Sequence, residues 1–317
     1  MCYTFVVSEE KMKDLKYYFE KGMKNGFALG AFNFNNLESL KGIVDGANKT
    51  NSPCIIAVSE GAFEYMGGDY IVGMVTAAKK TSKVPLFLHL DHGKSFEMCK
   101  KAIECGFDSV MIDGSSLPFK ENISLTKKVC TYAHKKNVYV EGELGRLQGV
   151  EDNVSSDRTI YTNPEEAYEF ATKTGVDSLA IAIGTSHGAY KYTGKQTLRI
   201  DILEEVEKLL PNLPIVLHGA STVNPLLVEK INKNGGKIKK AIGINEDMIR
   251  EAVKKHNVVK INSDTDLRLA MTGSIREVFK AKPDEFDPRK YIGIGQKAIA
   301  SIVADKCENL LFSKNRA

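Results

Sequence analysis

From residue 27 onward, short apolar or β-branched runs alternate with amphipathic stretches, and polar turns separate them. The runs read as strands at Phe27–Phe32, Cys54–Val58, Leu86–Leu90, Ser109–Ile112, Val138–Val140, Ser178–Ile183, Pro214–Leu217 and Val258–Ile261. Helical periodicity occupies the intervals at Leu37–Lys49, Phe96–Cys105, Ile123–His134, Pro164–Thr174, Ile200–Leu210 and Leu226–Lys233. A further helix is expected at Glu10–Lys24 and another at Glu246–Lys255. The tail from Glu277 is helical with an interruption near Pro283–Pro288. Near-continuous apolar runs alternating with helices predict a parallel sheet covered on both faces. Eight of them predict an α/β fold of the closed (β/α)8 TIM-barrel type. It carries additional helices at the N-terminus, before strand 8 and at the C-terminus. No low-complexity linker breaks the pattern, so residues 1–317 are read as a single domain.

The residues that end the runs carry the chemistry. In order they are Asn33, Ser59, Asp91 with His92, Asp113, Glu143, His187, His218 and Asn262. In this fold the C-terminal strand ends and the loops after them build the active site. Asn33, Ser59 and Asn262 serve equally well as helix caps, whereas Glu143 and the histidines are weak N-caps. A lone histidine at a strand end is usually a hydrogen-bonded core or loop residue. Here three of the chain's six histidines occupy equivalent positions. His187 and His218 stand about one strand–helix–strand unit apart, and His92 and His187 about three. That spacing sets all three imidazoles around one mouth, and three histidines with one open position are a catalytic zinc ligand set. Phe87, His89 and Asp91 share a strand face. If that face is the barrel interior, Asp91 presents a carboxylate beside the metal, placed for proton transfer. The alternative, an Asp91 that merely orients a metal-bound histidine, is not favoured by adjacency, because neighbouring strand side chains diverge. His89 is read as interior packing or as support for the ligands.

Composition narrows the picture a little. The chain is 43% hydrophobic and 26% charged, which is ordinary for a globular protein. The net charge of +4 comes from 44 basic and 40 acidic residues. So small and dispersed a surplus argues against a nucleic-acid partner, though it suits an anionic small molecule. Cysteines 2, 54, 99, 105, 130 and 307 form no CxxC or framework spacing, which points to a reducing compartment without structural disulfides. The N-terminal MCYTFVVSEEKMKD has too short an apolar run for a signal peptide, and no stretch approaches a membrane span. A cytoplasmic location without a membrane partner is expected. The loops Gly184–Lys191 and His218–Thr222 combine glycines, hydroxyls and a lysine at strand ends, as phosphate loops do. Neither is a P-loop, and the Gly-x-Gly at Gly293–Gly295 lacks a preceding strand. The long polar segment from Gly145 to Arg158 is a candidate lid.

Several of these motifs stand in a familiar order. LDHG at Leu90–Gly93, MID at Met111–Asp113, VEGELG at Val140–Gly145, GTSHGAYK at Gly184–Lys191, LHGAS at Leu217–Ser221 and INSDTDLRLA at Ile261–Ala270 resemble the class II fructose-1,6-bisphosphate aldolases, closest to the shorter IIB-type members. The resemblance runs from GAFNFNN at Gly30–Asn36 to FDPRKY at Phe286–Tyr291. It implies that His92, His187 and His218 bind the catalytic Zn2+ and that Asp91 is the acid/base. Asp113 and Glu143 match acidic positions of a second or alternative metal site. Gly188, Lys191, Gly219, Ser221 and Thr265 match the grip on the phosphate nearest the ketone, beside which a monovalent cation, Na+ or K+, commonly sits. Asn262 matches a residue on a substrate hydroxyl, and Asn33 and Ser59 match positions near the far end of the sugar phosphate. Arg268 matches an arginine that reaches the distal phosphate, in relatives from a neighbouring subunit, so a homodimer or homotetramer is implied.

The implied reaction is reversible aldol cleavage of D-fructose 1,6-bisphosphate to dihydroxyacetone phosphate and D-glyceraldehyde 3-phosphate. Zinc would polarise the ketone and stabilise the enediolate as a Lewis acid. Tagatose-1,6-bisphosphate, the C4 epimer, is the nearest alternative substrate. Tagatose-type relatives tend to carry a small apolar residue at the position of Asp264 and lack the arginine at that of Arg268, so these two residues are read as substrate-binding. They also stand four apart on a predicted helix, where the bland reading is a surface ion pair. A Schiff-base mechanism needs a barrel-interior lysine, and no strand run contains one except at Lys260. A zinc hydrolase on the same barrel commonly has HxH on its first strand, and FALGAFNFNN has none. A phosphate-sensing barrel without catalysis would be expected to have lost these ligands or Asp91.

Overall fold

The computed structural model describes residues 14–146, 148–151, 154–156, 159–187, 197–239 and 243–317; the side chains of 148–151, 154–156 and 187 lie outside that description. Eight parallel strands close into a barrel: β1 Leu29–Asn33, β2 Cys54–Ser59, β3 Leu86–Gly93, β4 Ser109–Ile112, β5 Tyr139–Leu144, β6 Ser178–Ile181, β7 Ile215–Leu217 and β8 Val258–Ser263. Each pairs with its sequence neighbours, and β1 joins β8 through Leu29–Lys260 and Ala31–Asn262. The expected TIM barrel is therefore present, with helices packed around it. The helices at Phe96–Cys105, Pro164–Thr174 and Glu246–Lys255 fall where periodicity puts them. Several strands run further than their apolar stretches, because polar residues complete them at the mouth. β3 continues through Asp91 and His92, β5 through Glu143 and β8 through Asn262.

Two differences concern the loops. The interval between β2 and β3 holds two helices, Glu60–Met66 and Gly68–Thr81, broken by Gly67 at φ 83°. The segment expected as a polar lid contains a hairpin, Gln148–Glu151 against Val154–Ser156, which pairs with the two-residue strand Ser186–His187. It is thus tied to the loop after β6.

The barrel interior changes in polarity from one end to the other. At the N-terminal end Leu29, Ala31, Ile55, Ala57 and Phe87 pack on the helix Leu15–Asn25, whose Tyr18 and Phe19 close the opening. The ring of Tyr18 lies 5.8 Å from that of Phe87 and Phe19 lies 5.4 Å from Tyr139. Higher up, the interior positions become Glu141, Lys260, His89 and Ser109, then Asp91, Glu143, His218 and Asn262, all buried. The larger core lies outside the sheet, between strands and helices. There the helix Pro288–Asp305 packs on Leu37–Thr50 at glycine distance. A Cβ on Gly42 would come within 2.7 Å of the Gln296 carbonyl, and one on Gly46 within 2.7 Å of the Ala300 carbonyl. Gln296 also donates to Asp45, a residue 251 positions away in sequence. Beyond it, Ala28 donates its N–H to Leu311, and the terminal residues Asn315 and Arg316 donate theirs to Thr50 and Asn51. No helix among the described residues is long and apolar enough to cross a membrane.

Candidate active site

Strand alternation would send Asp91 and His92 to opposite faces, yet both belong to one buried group with His218. The reason lies at His92, where φ is 51° and the register to β4 shifts between Leu90 and Gly93. That left-handed residue turns the imidazole back toward the mouth. A non-glycine residue held in this region stores about 1–3 kcal/mol of backbone strain and marks functional sites. The expectation that the two side chains diverge is therefore corrected.

The Asp91 carboxylate is held from both sides. Asn33 donates Nδ2–H to Oδ2 at 2.9 Å and Asn262 donates Nδ2–H to Oδ1 at 2.8 Å. Both asparagines thus act on Asp91. Their own Oδ1 atoms are buried with no hydrogen-bond partner among the described residues. Ser59 does serve as a cap, accepting the Ala62 N–H at the start of the helix Glu60–Met66.

His92 Nε2 faces His218 Nδ1 at 2.9 Å, and each imidazole has its other nitrogen on a carboxylate. His92 Nδ1 lies 3.2 Å from Asp113 Oδ2 and 3.6 Å from Glu143 Oε2. His218 Nε2 lies 2.7 Å from Glu141 Oε1. Where those carboxylates accept the imidazole N–H groups, they set the tautomers. Two lone pairs then point at one another, so a cation belongs between them: a shared proton or a metal ion. Burial opposes charging His92, but the Asp91 charge and the Asp113 hydrogen bond outweigh it, holding the imidazole pKa well above its ordinary value. Around this point Asp113 accepts from Ser115 N–H and Oγ–H, while burial and the Asp113 charge push the Glu143 carboxyl well above the usual carboxylate range. Glu143 Oε2 has no hydrogen-bond partner among the described residues. His92, Asp113 and Glu143 form a second group of converging donors. Imidazole nitrogens with carboxylates behind them fit a zinc-type ion.

The remaining expected residues divide. His187 ends the strand Ser186–His187, and its side chain, like all of Gly188 and Lys191, lies outside the described residues. Gly219 directly follows His218 with φ 60°, and a Cβ there would sit 2.6 Å from the Ser186 carbonyl carbon and oxygen. The loop after β7 therefore rests on the strand that carries His187, and only glycine permits the approach. Ser221 is buried beside it, and Thr265 opens the helix Thr265–Ala281 at the end of β8. Asp264 and Arg268 meet as the ion pair that their spacing allows, Nε to Oδ1 at 2.9 Å and Nη2 to Oδ2 at 2.7 Å, with Asp264 buried and Arg268 half exposed.

Sequence reasoning passed over Glu141 and named Lys260 only as the one lysine in a strand run. Both lie inside the barrel: Lys260 Nζ is 2.8 Å from Glu141 Oε2 and 3.0 Å from Oε1. The signal was available, since Glu141 shares its strand face with Glu143, and Lys260 shares its face with Asn262. Asp266 was also missed. Buried, it accepts from Thr222 N–H and Oγ1–H and from Asn224 N–H, and it pairs with Lys306 at 2.7 Å.

A (β/α)8 barrel whose mouth gathers a positioned carboxylate and facing imidazoles has side chains that could hold a metal ion where such barrels build their active sites. Residues 13–316 match the family model described as fructose-bisphosphate aldolase class-II, so the chain belongs to that family. It is 47% identical to the fructose-bisphosphate aldolase of Treponema pallidum, with 96% of each chain covered. It is 46% identical to that of Thermus caldophilus, covering 94% of this chain and 97% of the relative. Among solved structures, a putative fructose-1,6-bisphosphate aldolase from Coccidioides immitis superposes with a TM-score of 0.79 at 25% identity, covering 96% of this chain and 98% of the other. The YdjI aldolase from Escherichia coli K12 gives 0.76 at 28%, over 96% and 98%.

Proposed function

We propose that this chain catalyses the reversible aldol cleavage of D-fructose 1,6-bisphosphate to dihydroxyacetone phosphate and D-glyceraldehyde 3-phosphate. The observation that carries the reading is Asp91, pinned by two amides beside the facing nitrogens of His92 and His218. We assign the catalytic Zn2+ to His92, His187 and His218, with Asp113 and Glu143 as a second or alternative site. When bound, zinc supplies a Lewis acid for the ketone and its neighbouring hydroxyl.

In cleavage Asp91 takes the C4 hydroxyl proton, the C4 oxygen forms its carbonyl, and the C3–C4 electron pair stays with the ketone fragment. In condensation Asp91 returns that proton. Asn33 and Asn262 hold the carboxylate toward the substrate, and their free Oδ1 atoms are acceptors for sugar hydroxyls. Backbone N–H groups around Gly188 and Gly219, with Ser221, Thr265 and Lys191, are assigned to the phosphate nearest the ketone, with a monovalent cation beside it. Asp264 and Arg268 are assigned to selection of the epimer and to the distal phosphate, with Ser59 near that end. Arg268 serves a neighbouring subunit's site in a homodimer or homotetramer. We place the enzyme in the cytoplasm. The test is cleavage of fructose 1,6-bisphosphate by purified protein, coupled to triose-phosphate detection, with metal content measured on the same sample. No cleavage by a zinc-replete preparation overturns the reading.

A further inference from the structure

We infer that Lys260 is a positioning residue for the metal centre: it clamps the Glu141 carboxylate so that Glu141 fixes the ring and tautomer of His218. The inference rests on the proposed role of His218 as a metal ligand.

Lys260, Glu141 and His218 form one line through the barrel, each with no more than about a fiftieth of its surface exposed. The ammonium contacts both carboxylate oxygens, at 3.0 and 2.8 Å. Oε1 also accepts the His218 Nε2–H at 2.7 Å, which leaves His218 Nδ1 facing His92. Without its second partner the carboxylate could rotate about its side-chain torsions, and the hydrogen bond that orients the imidazole would lose its fixed acceptor. Nothing else described competes for the clamp. His89 Nε2 is 3.8 Å from Oε2, beyond hydrogen-bond reach, and His89 Nδ1 is turned to Ser109 Oγ at 2.8 Å. The pairing also bears on the nucleophile alternative. Nζ is directed at both oxygens of a buried carboxylate in the layer beneath His218 rather than into the mouth. The strand register makes the line possible: Lys260 stands opposite Val216 on β7, two residues before His218, and Glu141 stands opposite Ser178 on β6.

Partners that orient metal-bound histidines typically contribute 10–100-fold in metal affinity. The experiment measures zinc retention by the whole enzyme against a graded chelator for wild type, Lys260→Met and His218→Ala, with thermal unfolding in parallel. We expect Lys260→Met to raise the zinc dissociation constant about 10–100-fold and His218→Ala to raise it further. Wild-type zinc affinity in a folded Lys260→Met variant, with affinity lost in His218→Ala, overturns the role of Lys260 alone. Wild-type affinity in His218→Ala overturns the metal assignment, and the inference with it. If Lys260→Met does not fold, Lys260→Met/Glu141→Gln is compared with Glu141→Gln alone: equal zinc affinity in the two agrees with Lys260 acting through Glu141, and a further loss in the double variant overturns it. Nitrogen-15 spectra of histidine-labelled, zinc-loaded wild type give an independent check. His218 must be protonated at Nε2, and protonation at Nδ1 instead overturns the proposal.

Discussion

Replacing Asp91 by alanine separates proton transfer from metal binding. The carboxylate is buried and accepts amide protons at 2.9 and 2.8 Å, so it has little freedom to be anything but a fixed base. A positioned general acid/base contributes roughly 10²–10⁴ in rate, equivalent to about 2.7–5.5 kcal/mol of barrier. The Asp91→Ala variant should lose that factor in kcat for both cleavage and condensation. The amides of Asn33 and Asn262 would lose their acceptor at about 1–3 kcal/mol each unless water replaces it. Relief from burying a carboxylate opposes that cost. Thermal unfolding is followed alongside so that lost stability is not mistaken for lost chemistry. Zinc content should stay at the wild-type level, and exchange of the C3 proton of dihydroxyacetone phosphate with solvent should suffer less than cleavage, because that step does not touch the C4 hydroxyl. A variant that purifies without zinc would make Asp91 a ligand or a ligand support. A turnover within about tenfold of wild type, below the range expected of a general base, would remove it from the proton path altogether.

Stripping the enzyme with a chelator should abolish cleavage, and Zn2+ should restore it; full activity in a preparation shown metal-free by elemental analysis contradicts the assignment. The Asp264→Ala variant should narrow the kcat/KM ratio between fructose and tagatose bisphosphates, whereas Arg268→Ala should chiefly raise KM; an unchanged ratio returns the pair to a structural role. Lys306→Met leaves Asp266 buried without its cation, and breaking such a pair costs about 3–5 kcal/mol, so urea unfolding should shift markedly. A midpoint near wild type would show that Thr222 and Asn224 suffice to hold that carboxylate.

The barrel and its polar mouth were legible because two periodicities were clean. Apolar runs of strand length alternated with helices, and each run ended on a hydrogen-bonding residue. What escaped the sequence depended on a single backbone torsion or on contacts across the interior. Period-two reasoning sends His92 away from Asp91, and only the positive φ at His92 brings them together. Asn33 and Asn262 read as caps as readily as site residues, and their common attachment to Asp91 exists only once β1 and β8 close the ring. Lys260 looked like a nucleophile to be weighed until its partner, from a strand more than a hundred residues earlier, came into view. The helices between β2 and β3 were missed, and Gly67 is the hinge that divides them.

The contact between the helices Leu37–Thr50 and Pro288–Asp305 has a consequence for how the chain is made. The first strand and its helix emerge from the ribosome early, yet the helix face that carries Gly42 and Gly46 must wait for a partner such as Gln296, 251 residues behind Asp45. At synthesis rates of roughly 5–20 residues per second, that wait lasts on the order of 10–50 s. Throughout it, β1 has one edge open and a glycine-lined groove lies exposed. A nascent chain of this design cannot finish its first unit until its last has left the tunnel, so a shortened C-terminus should fail by aggregating during synthesis.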